Sequence, residues 1–328
     1  MESIYIEEFR GIRRLKAPLK LAKINVLIGR NNVGKTALLE ALYLLPTYAT
    51  GRAIPLLGKT ASSLISTLHS GSLVYGYAGE ARLTYWIGGH EVKLVLEAGG
   101  PTRYYIDGDA VEGESSYFER LSNLLGLKDP SNVLRFAFYV PNSSSFLSEL
   151  RDKIKSVAWD SIVKRGIHRK VVEELVNPAV YDEFTEMLVE RDRLKLRKEL
   201  GVKGIGPLYV DVADLGEGVE RISVVALALE YLSPGLVLWD DVESAVHPAL
   251  MERLIKWLTS REWQVVLTTH SLDTLYALLE AYPKDACVVL LSKTVDDVVK
   301  ARVFSLEEVE DLVEKHLDPR KLAEVLGI

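Results

Sequence analysis

An eight-residue segment near the amino terminus has the residue types and spacing of a phosphate-binding loop. It fits the pattern G-x-x-x-x-G-K-T and reads Gly29-Arg30-Asn31-Asn32-Val33-Gly34-Lys35-Thr36. In such a loop, glycines turn backbone N–H groups towards phosphates, the lysine reaches the β- and γ-phosphates, and the threonine hydroxyl binds Mg²⁺. The alternative is a glycine-rich turn with a chance lysine, but an apolar strand precedes the segment and an apolar helix follows it. We therefore predict phosphate-ligand contacts from Arg30, Asn31, Asn32, Val33, Gly34, Lys35, Thr36 and Ala37.

Two aspartates follow a short apolar segment in the second half of the chain. Residues 236–239 predict a buried strand, and Asp240 and Asp241 come directly after it. Ligands of parallel α/β sheets bind at the carboxyl ends of the strands. We therefore predict that Asp240 holds Mg²⁺, directly or through water, and that Asp241 orients or deprotonates an attacking water. The alternative is a strand-end turn that merely uses two aspartates.

Two further segments are candidate ligand-binding segments because one precedes and the other follows these aspartates in the chain. Gly216, Glu217 and Gly218 precede a predicted helix. The amino terminus of that helix could accept an anion, although a glycine pair is also a common plain cap. His270 follows another apolar strand, where its ring could contact a γ-phosphate or simply cap a turn beside Ser271.

The hydrophobic pattern divides the chain into segments of different kinds. Between about residues 72 and 107, apolar residues such as Leu73, Tyr75 and Tyr77 recur at a spacing of two, which predicts an antiparallel meander. From about 143 to 200 the spacing is that of helices, with Phe184, Met187, Leu188, Leu194 and Leu196 in the last of them. From residue 208 onward strands and helices alternate, which predicts a parallel sheet with crossover helices; the strands are 208–212, 236–239, 265–268 and 287–291.

The order and spacing of these motifs resemble the ABC-type ATPase heads of the RecF, structural-maintenance-of-chromosomes (SMC) and OLD group. The resemblance extends over the first 45 or so residues and over roughly 210–275. It is also carried by Phe9-Arg10-Gly11, by Asn25-Val26-Leu27-Ile28-Gly29, and by Asp240-Asp241-Val242-Glu243 followed by His247-Pro248.

This resemblance implies an α/β P-loop NTPase fold with a parallel core sheet, an antiparallel β meander and a helical insert. It implies ATP and Mg²⁺ as cofactors and two heads that sandwich two ATP molecules. By the same likeness residues 216–218 are the signature that acts in trans, and residues 244–246 contact the partner head. His270 is the switch histidine, and the catalytic residues are Asp241, His270 and Lys35, with Thr36 and Asp240 on the metal.

We expect a single ATPase domain over residues 1–328, without a coiled-coil arm or a nuclease domain. Within it we expect an antiparallel β subdomain at 70–110, a mostly helical insert at 113–205 and the second half of the core at 206–292.

The sequence departs from this family at two positions of the expected site. Asp241 stands where the family usually has glutamate, so its carboxylate is one methylene shorter and hydrolysis is expected to be slow, unless Glu243 helps. The family also has a metal-contacting glutamine between the first helix and the insert, whereas the sole glutamine here is Gln264. Asn142, after the predicted strand 135–140, is the candidate substitute.

Composition limits the classes of protein that the chain could represent. The net charge is −6, so the protein is not a polycation that coats nucleic acid, and two basic clusters at residues 10–23 and 191–198 are expected to be solvated faces more than DNA contacts. There is no apolar run of membrane-spanning length and no signal peptide, so we expect a cytoplasmic protein. The lone Cys287 is expected to be buried. Scarce glutamine and abundant charge suggest a heat-adapted source.

The sequence therefore predicts an ATPase that forms ATP-dependent homodimers and acts in DNA repair or maintenance or in anti-phage defence, on DNA or with a separate nuclease. The alternative is a nucleotide-gated binding module that hydrolyses little, which the shorter Asp241 favours. An importer or exporter ATPase is disfavoured by the Phe-Arg-Gly opening and by His247-Pro248.

Overall fold

The computed structural model describes residues 1–46, 53–68, 72–202 and 206–322. Its strands are β1 Ser3–Phe9, β2 Ile12–Leu15, β3 Leu19–Lys20, β4 Ile24–Ile28, β5 Glu80–Ile87, β6 His90–Glu97, β7 Arg103–Ile106, β8 Asp109–Ala110, β9 Ala137–Val140, β10 Glu186–Glu190, β11 Arg193–Lys198, β12 Leu208–Asp211, β13 Leu236–Trp239, β14 Gln264–Thr268, β15 Ala286–Lys293 and β16 Val298–Phe304. Its helices are α1 Lys35–Leu44, α2 Ala61–Leu68, α3 Glu114–Leu124, α4 Ser144–Lys153, α5 Trp159–Lys164, α6 Ile167–Val171, α7 Asn177–Val180, α8 Glu217–Leu232, α9 Pro248–Thr259, α10 Leu272–Ala281 and α11 Leu306–Glu314.

Most of the strands form one continuous 13-stranded sheet. Its order is β8-β7-β6-β5-β1-β2-β16-β15-β4-β14-β13-β9, and β3 pairs with β1. Strands β15, β4, β14, β13 and β9 run parallel to one another, whereas β5 to β8 are antiparallel. The expected α/β fold with a parallel core and an antiparallel meander is confirmed. The meander is joined to the core sheet through the pairing of β1 with β5.

The parallel strands are buried on both faces, which explains their nearly continuous apolar sequences. All residues of β4 and of β13 are buried. Helix α1 packs against β1, β9, β13 and β14. The parallel strands therefore bring their carboxyl ends together at one edge of the sheet, beside the start of α1.

The second half of the core agrees with the sequence prediction in type and approximate bounds. Helices α8, α9 and α10 cover the three predicted helical segments, and β13, β14 and β15 cover three predicted strands. Helix α8 begins at Glu217, and almost every residue from Arg221 to Leu232 is buried. Because it contacts α4, α5, α6 and α9, this helix joins the insert to the core.

The helical prediction for residues 184–200 is wrong. These residues form the antiparallel pair β10 and β11, and β12 pairs with β11 to complete a separate three-stranded sheet. The predicted strand at 208–212 therefore exists, but it does not belong to the core sheet. Arg191 and Asp192 both have positive φ in the connecting turn, as a type I′ hairpin turn requires, but neither is the glycine or asparagine that usually marks such a turn.

The insert as a whole is helical from α4 to α7, with π-helical turns at Ile154–Ala158 and Val172–Val176. A strand at Leu73, Tyr75 and Tyr77 was also expected, but Tyr75–Tyr77 is a 3₁₀ turn and Val74 forms an isolated bridge with Phe9. The expected subdomain boundaries at 70 and 205 lie outside the described residues, and the division into subdomains stays a prediction.

Cys287 lies in β15 and is buried, as the sequence predicts. Its Sγ is 3.4 Å from Oδ1 of Asn25, and burial raises the pKa of the thiol. Among the described residues, no helix has both the length and the apolar character needed to cross a membrane.

Candidate active site

The segment from residue 29 to residue 36 forms a tight loop between β4 and α1. Gly29 and Gly34 have φ angles of 143° and 100°, and a Cβ on Gly29 would lie 2.4 Å from the carbonyl oxygen of Leu291. Both the backbone angle and the close approach therefore require glycine at residue 29. Helix α1 starts at Lys35 without a side-chain cap, which leaves its first N–H groups available to a ligand.

Lys35 is buried beneath this loop, with only 7% of its surface exposed. Its Nζ donates hydrogen bonds of 3.0 Å to the carbonyl oxygens of Gly29 and Arg30. Burial lowers the pKa of the ammonium group, and the nearby carboxylates, Asp241 first among them, oppose that change. These two carbonyl contacts hold the ammonium group at the loop.

Asp240 directly follows strand β13 beside the loop, and threonine hydroxyls hold both of its carboxylate oxygens. Thr36 Oγ1 donates to Oδ2 over 2.9 Å, and Thr268 Oγ1 donates to Oδ1 over 2.6 Å. Burial raises the pKa of this carboxyl, while the two hydroxyl contacts oppose the increase. The pairing of Thr36 with Asp240 unites residues that lie 204 positions apart and that the sequence assigns to one metal ion.

Asp241, the next residue, projects into the open part of the site. Its backbone has a φ of 46°, and its N–H donates to Thr268 Oγ1 over 2.8 Å. One carboxylate oxygen accepts a 3.1 Å hydrogen bond from Nδ2 of Asn142, and the other lies 3.9 Å from Nε2 of His270. Asn142 thus contacts the predicted catalytic carboxylate, and its role as a substitute for the missing glutamine stays a prediction.

His270 follows β14 and exposes its ring to the cleft. Its backbone N–H donates to Oε1 of Glu243 over 2.6 Å, and its carbonyl oxygen accepts from Arg320. The alternative role as a turn cap does not apply, because Ser271 caps α10 by accepting from the N–H of Asp273. Glu243 is held by this contact, and its other oxygen is buried without a hydrogen-bond partner among the described residues.

Residues 216–218 lie outside this cleft, at the start of α8. Gly216 and Glu217 are exposed, whereas Gly218 is packed so tightly against residue 245 that a Cβ would lie 2.2 Å from its carbonyl oxygen. The expected signature and the expected partner-contacting loop at 244–246 are therefore adjacent within one chain. Arg221, one turn further along, is buried, and its Nε and Nη2 have no hydrogen-bond partner in the described part of the chain.

These elements border a cleft of about 310 Å³ that contains most of the predicted ligand-binding residues. Asn31, Asn32, Gly34, Lys35, Thr36, Ala37, Asp241 and His270 line it. Arg30 is exposed outside it and Val33 is buried under the loop. Asp240 and residues 216–218, which were also predicted to bind, do not line the cleft either.

Sequence reasoning did not include Arg10, Gly11 and Glu40, which also line the cleft. Arg10 donates to both oxygens of Glu40 over 2.8 and 3.1 Å, and Glu40 is completely buried. The Phe9-Arg10-Gly11 sequence carries part of the family resemblance, from which no role of its own was predicted for Arg10. It was the signal that could have placed Arg10 in the site.

The second basic cluster forms part of the small sheet and is largely neutralised by acidic neighbours. Arg193 pairs with Asp211, Lys195 with Glu190, Arg197 with Glu199 and Lys198 with Asp182. This favours a solvated face over a phosphate-binding surface.

The sequence matches two family models in the regions that build this site. Residues 1–55 match the model described as "AAA ATPase domain", and residues 201–275 match "AAA domain, putative AbiEii toxin, Type IV TA system". The DNA replication and repair protein RecF of Myxococcus xanthus is 24% identical over 355 residues, covering 81% of this chain and 90% of the relative.

Solved structures share the fold at low sequence identity. The Smc head domain with an extended coiled coil, bound to the C-terminal domain of ScpA and derived from Pyrococcus furiosus, superimposes with a TM-score of 0.57 and 11% identity, covering 96% of this chain and 98% of that one. The SMC head domain from Thermotoga maritima gives a TM-score of 0.54 at 12% identity, covering 93% and 98%. With the motifs and their geometry, these findings support an ATPase head of the ABC/AAA type, and they show that the chain is similar in sequence to RecF and in fold to the heads of SMC proteins.

Proposed function

We propose that this head binds ATP with Mg²⁺, hydrolyses it slowly, and pairs with a second copy around the nucleotide. The observation that carries the proposal is the hydrogen bond between Thr36 and Asp240 directly beside Lys35. It joins the phosphate loop to the aspartate strand at the carboxyl edge of the parallel sheet. A structural loop with a chance lysine would have no reason to contact that strand through a hydroxyl group.

The residues present fit a magnesium ion. Mg²⁺ prefers hard oxygen ligands and commonly takes only one or two protein side chains, leaving its other positions to water and phosphate. Thr36 Oγ1 and Asp240 Oδ2, 2.9 Å apart, would supply those side-chain ligands. When bound, the ion would neutralise charge on the phosphates, and it would also favour the ionised form of the Asp240 carboxyl, whose pKa burial raises.

The remaining residues have distinct tasks in this proposal. Lys35 would leave the carbonyl oxygens of Gly29 and Arg30 and bind the terminal phosphates. Asp241 would orient the attacking water and accept its proton, while Asn142 holds the carboxylate and His270 lies within reach of it. Glu243 is a poor candidate for the base, because its Oε1 accepts the backbone N–H of His270.

Dimerisation is supported by the positions of the two segments that the resemblance assigns to the partner. Gly216 and Glu217 are exposed at the free amino terminus of α8, where N–H groups and the helix dipole favour an anion. They lie outside this chain's own cleft and beside residues 244–246. In the proposed dimer they would approach the γ-phosphate bound by the second copy.

Phosphate release at steady state tests the enzymatic part of the proposal. Wild-type protein should exceed Lys35→Ala by at least about a hundredfold, the usual scale for removing a charged group that stabilises the transition state. Asp241→Asn should bind ATP and turn it over at the blank rate. Lys128→Ala, which removes an exposed lysine far along the chain from the loop, is the matched control and should equal wild type. Equal turnover of wild type and Lys35→Ala would refute the enzyme.

The mass in solution tests the dimer separately. Asp241→Asn with saturating ATP and Mg²⁺ should have twice the mass of the nucleotide-free protein, because the closed state cannot proceed to hydrolysis. A protein that remains monomeric under these conditions would contradict the paired-head arrangement.

The second candidate is a nucleotide-gated binding module that hydrolyses little. The shorter carboxylate of Asp241, held at one oxygen by Asn142, favours it. ATP-dependent doubling of mass without turnover above Lys35→Ala would select this candidate.

As part of the same proposal, we infer a cytoplasmic role in DNA repair or maintenance, or in anti-phage defence, on DNA or with a separate nuclease. The name of the RecF relative and the toxin–antitoxin description of one family match support these settings. A source adapted to heat remains part of the proposal, and a melting temperature in the ordinary mesophile range would contradict it.

A further inference from the structure

The chain returns to the candidate site after its last helix. Beyond α11, the segment 315–322 ends in a 3₁₀ turn at Pro319–Lys321, with Asp318 as its cap: Oδ1 of Asp318 accepts from the N–H of Arg320 over 3.0 Å. Leu322 is buried in the hydrophobic core. The turn is thus fixed to the body of the protein from both sides and holds Arg320 at a defined place.

The guanidinium of Arg320 has a twofold contact with Asp318. Its Nε lies 2.9 Å from Oδ1 and its Nη2 lies 2.7 Å from Oδ2 of that carboxylate. A planar guanidinium held in this way has its remaining N–H groups aimed in a fixed direction. Nη1 donates to the backbone carbonyl oxygen of His270, 50 positions earlier in the chain.

The other backbone group of His270 is also held by a side chain. Its N–H donates to Oε1 of Glu243, which comes three residues after Asp240 in the segment that follows β13. Side chains from two distant segments therefore hold the peptide groups on both sides of one exposed residue. The ring of His270 approaches the carboxylate of Asp241 to 3.9 Å, and its position there depends on how firmly its backbone is held.

We propose that Arg320 is a positioning residue for His270, and that the Asp318–Arg320 pair and Glu243 together fix the switch histidine beside Asp241. This inference rests on the proposed ATPase function, and it assigns to the carboxyl-terminal turn a part in hydrolysis. Arg320 does not itself line the cleft and contacts the site only through the backbone of His270, so its loss should affect the chemical step more than nucleotide binding.

The first measurement concerns the clamp itself and needs no activity. Hydrogen–deuterium exchange of the peptide that contains residues 268–272 should be about three- to tenfold faster in Arg320→Ala than in wild type, the factor given by one lost hydrogen bond of ordinary net strength. Arg320→Lys should lie between them, because an ammonium can reach the carbonyl oxygen but cannot match the twofold contact with Asp318. Arg302→Ala, an exposed arginine of β16 stacked on Phe304, is the matched control and should exchange like wild type.

The second measurement separates binding from hydrolysis. In Arg320→Ala, kcat should fall by about ten- to a hundredfold, the scale for a catalytic group displaced by about 1 Å, while the affinity for ATP should change by less than twofold. Arg320→Lys should recover part of kcat, and Arg302→Ala should retain it. A general loss of folding would appear as a lower melting temperature, in which case the lysine variant gives the comparison.

The outcomes distinguish this inference from the proposed function. If wild type is no more active than Lys35→Ala but exchange rises in Arg320→Ala, the ATPase proposal fails and with it the catalytic part of the inference. If wild type is active, then unchanged exchange, unchanged kcat, or a change confined to ATP affinity would each overturn the positioning role. Faster exchange together with lower kcat, partly restored by lysine, is the result expected.

Discussion

The contact between Gly218 and residue 245 leads to a prediction whose magnitude follows from the structure. A Cβ on Gly218 would lie 2.2 Å from the carbonyl oxygen of Ala245, 3.1 Å from its carbonyl carbon and 3.3 Å from Cα of Val246. All three atoms belong to the backbone, so no side-chain rotation relieves the overlap. In Gly218→Ala the loop at 244–246 must move by about 0.8 Å or more to restore normal packing.

Opposing effects decide the sign of the stability change. Adding a methyl group to a closely packed place costs about 1–3 kcal/mol. Replacing glycine by alanine within a helix gains at most about 1 kcal/mol, and Gly218 is the second residue of α8. We expect Gly218→Ala to lower the free energy of unfolding by about 1–2 kcal/mol, since overpacking against backbone exceeds the gain in helix propensity.

The assay is urea denaturation followed by circular dichroism, with the midpoint and slope compared between variants. Gly206→Ala is the matched control, because no atom of the described residues lies within 4 Å of its added Cβ; it should change stability by less than about 0.5 kcal/mol. Gly218→Ala should also weaken the ATP-dependent increase in mass, since the displaced loop is the one proposed to meet the partner.

A Gly218→Ala variant as stable as wild type or more stable would refute the reasoning. It would mean that residues 244–246 can move aside without lowering the free energy of unfolding. The contact between residues 216–218 and residues 244–246 would then constrain neither segment. An unchanged stability with lost dimerisation would also contradict the packing argument, although it would leave the paired-head proposal intact.

Three other predictions concern the cleft. Asp240→Asn should stabilise the nucleotide-free protein at neutral pH and abolish the Mg²⁺ dependence of nucleotide binding. Because burial raises the pKa of this carboxyl, the wild-type protein loses stability as the pH rises from the carboxyl's pKa in the unfolded chain towards its pKa in the folded protein. The difference in urea midpoint between the variant and wild type should therefore vanish on acidification to about pH 4. Asn142→Ala should lower turnover by about three- to tenfold without changing ATP affinity, because it removes the donor to Asp241; a change confined to affinity would count against this role. Arg10→Ala should lower the free energy of unfolding by about 3–5 kcal/mol, because the buried Glu40 carboxylate would lose the guanidinium that donates to both of its oxygens, and a midpoint equal to that of wild type would show that the pair is dispensable.

The sequence predicts the elements of the site best where ligand binding and the fold both require the same residue types within a short segment. Gly29 and Gly34 are required by their backbone angles, and the strands before residues 29 and 240 are short, apolar and wholly buried. Such features lie within a few residues of one another, so the pattern contains the information needed to recognise them.

The β10–β11 hairpin was missed because its local signals are ambiguous. Met187, Leu194 and Leu196 are its buried residues, and their spacing among charged neighbours fits a helix as well as a strand. The turn at Arg191 and Asp192 carries no glycine to mark it, although both residues have positive φ angles. The contact of Arg320 with His270 has no local signal at all, because only the tertiary fold brings these residues together.

The hydroxyl group of Thr268 has a consequence for how the aspartates behave. Its oxygen accepts the N–H of Asp241, and its single hydrogen is directed to Oδ1 of Asp240. A hydroxyl that is both donor and acceptor in this way has a fixed orientation, so a displacement of one aspartate reorients the group that holds the other. The Thr268 hydroxyl thus couples the Asp240 carboxylate, which is proposed to hold the metal, to the backbone of Asp241, the proposed base. Binding of an ion at Asp240 would therefore change the position of Asp241 without any movement of the strands.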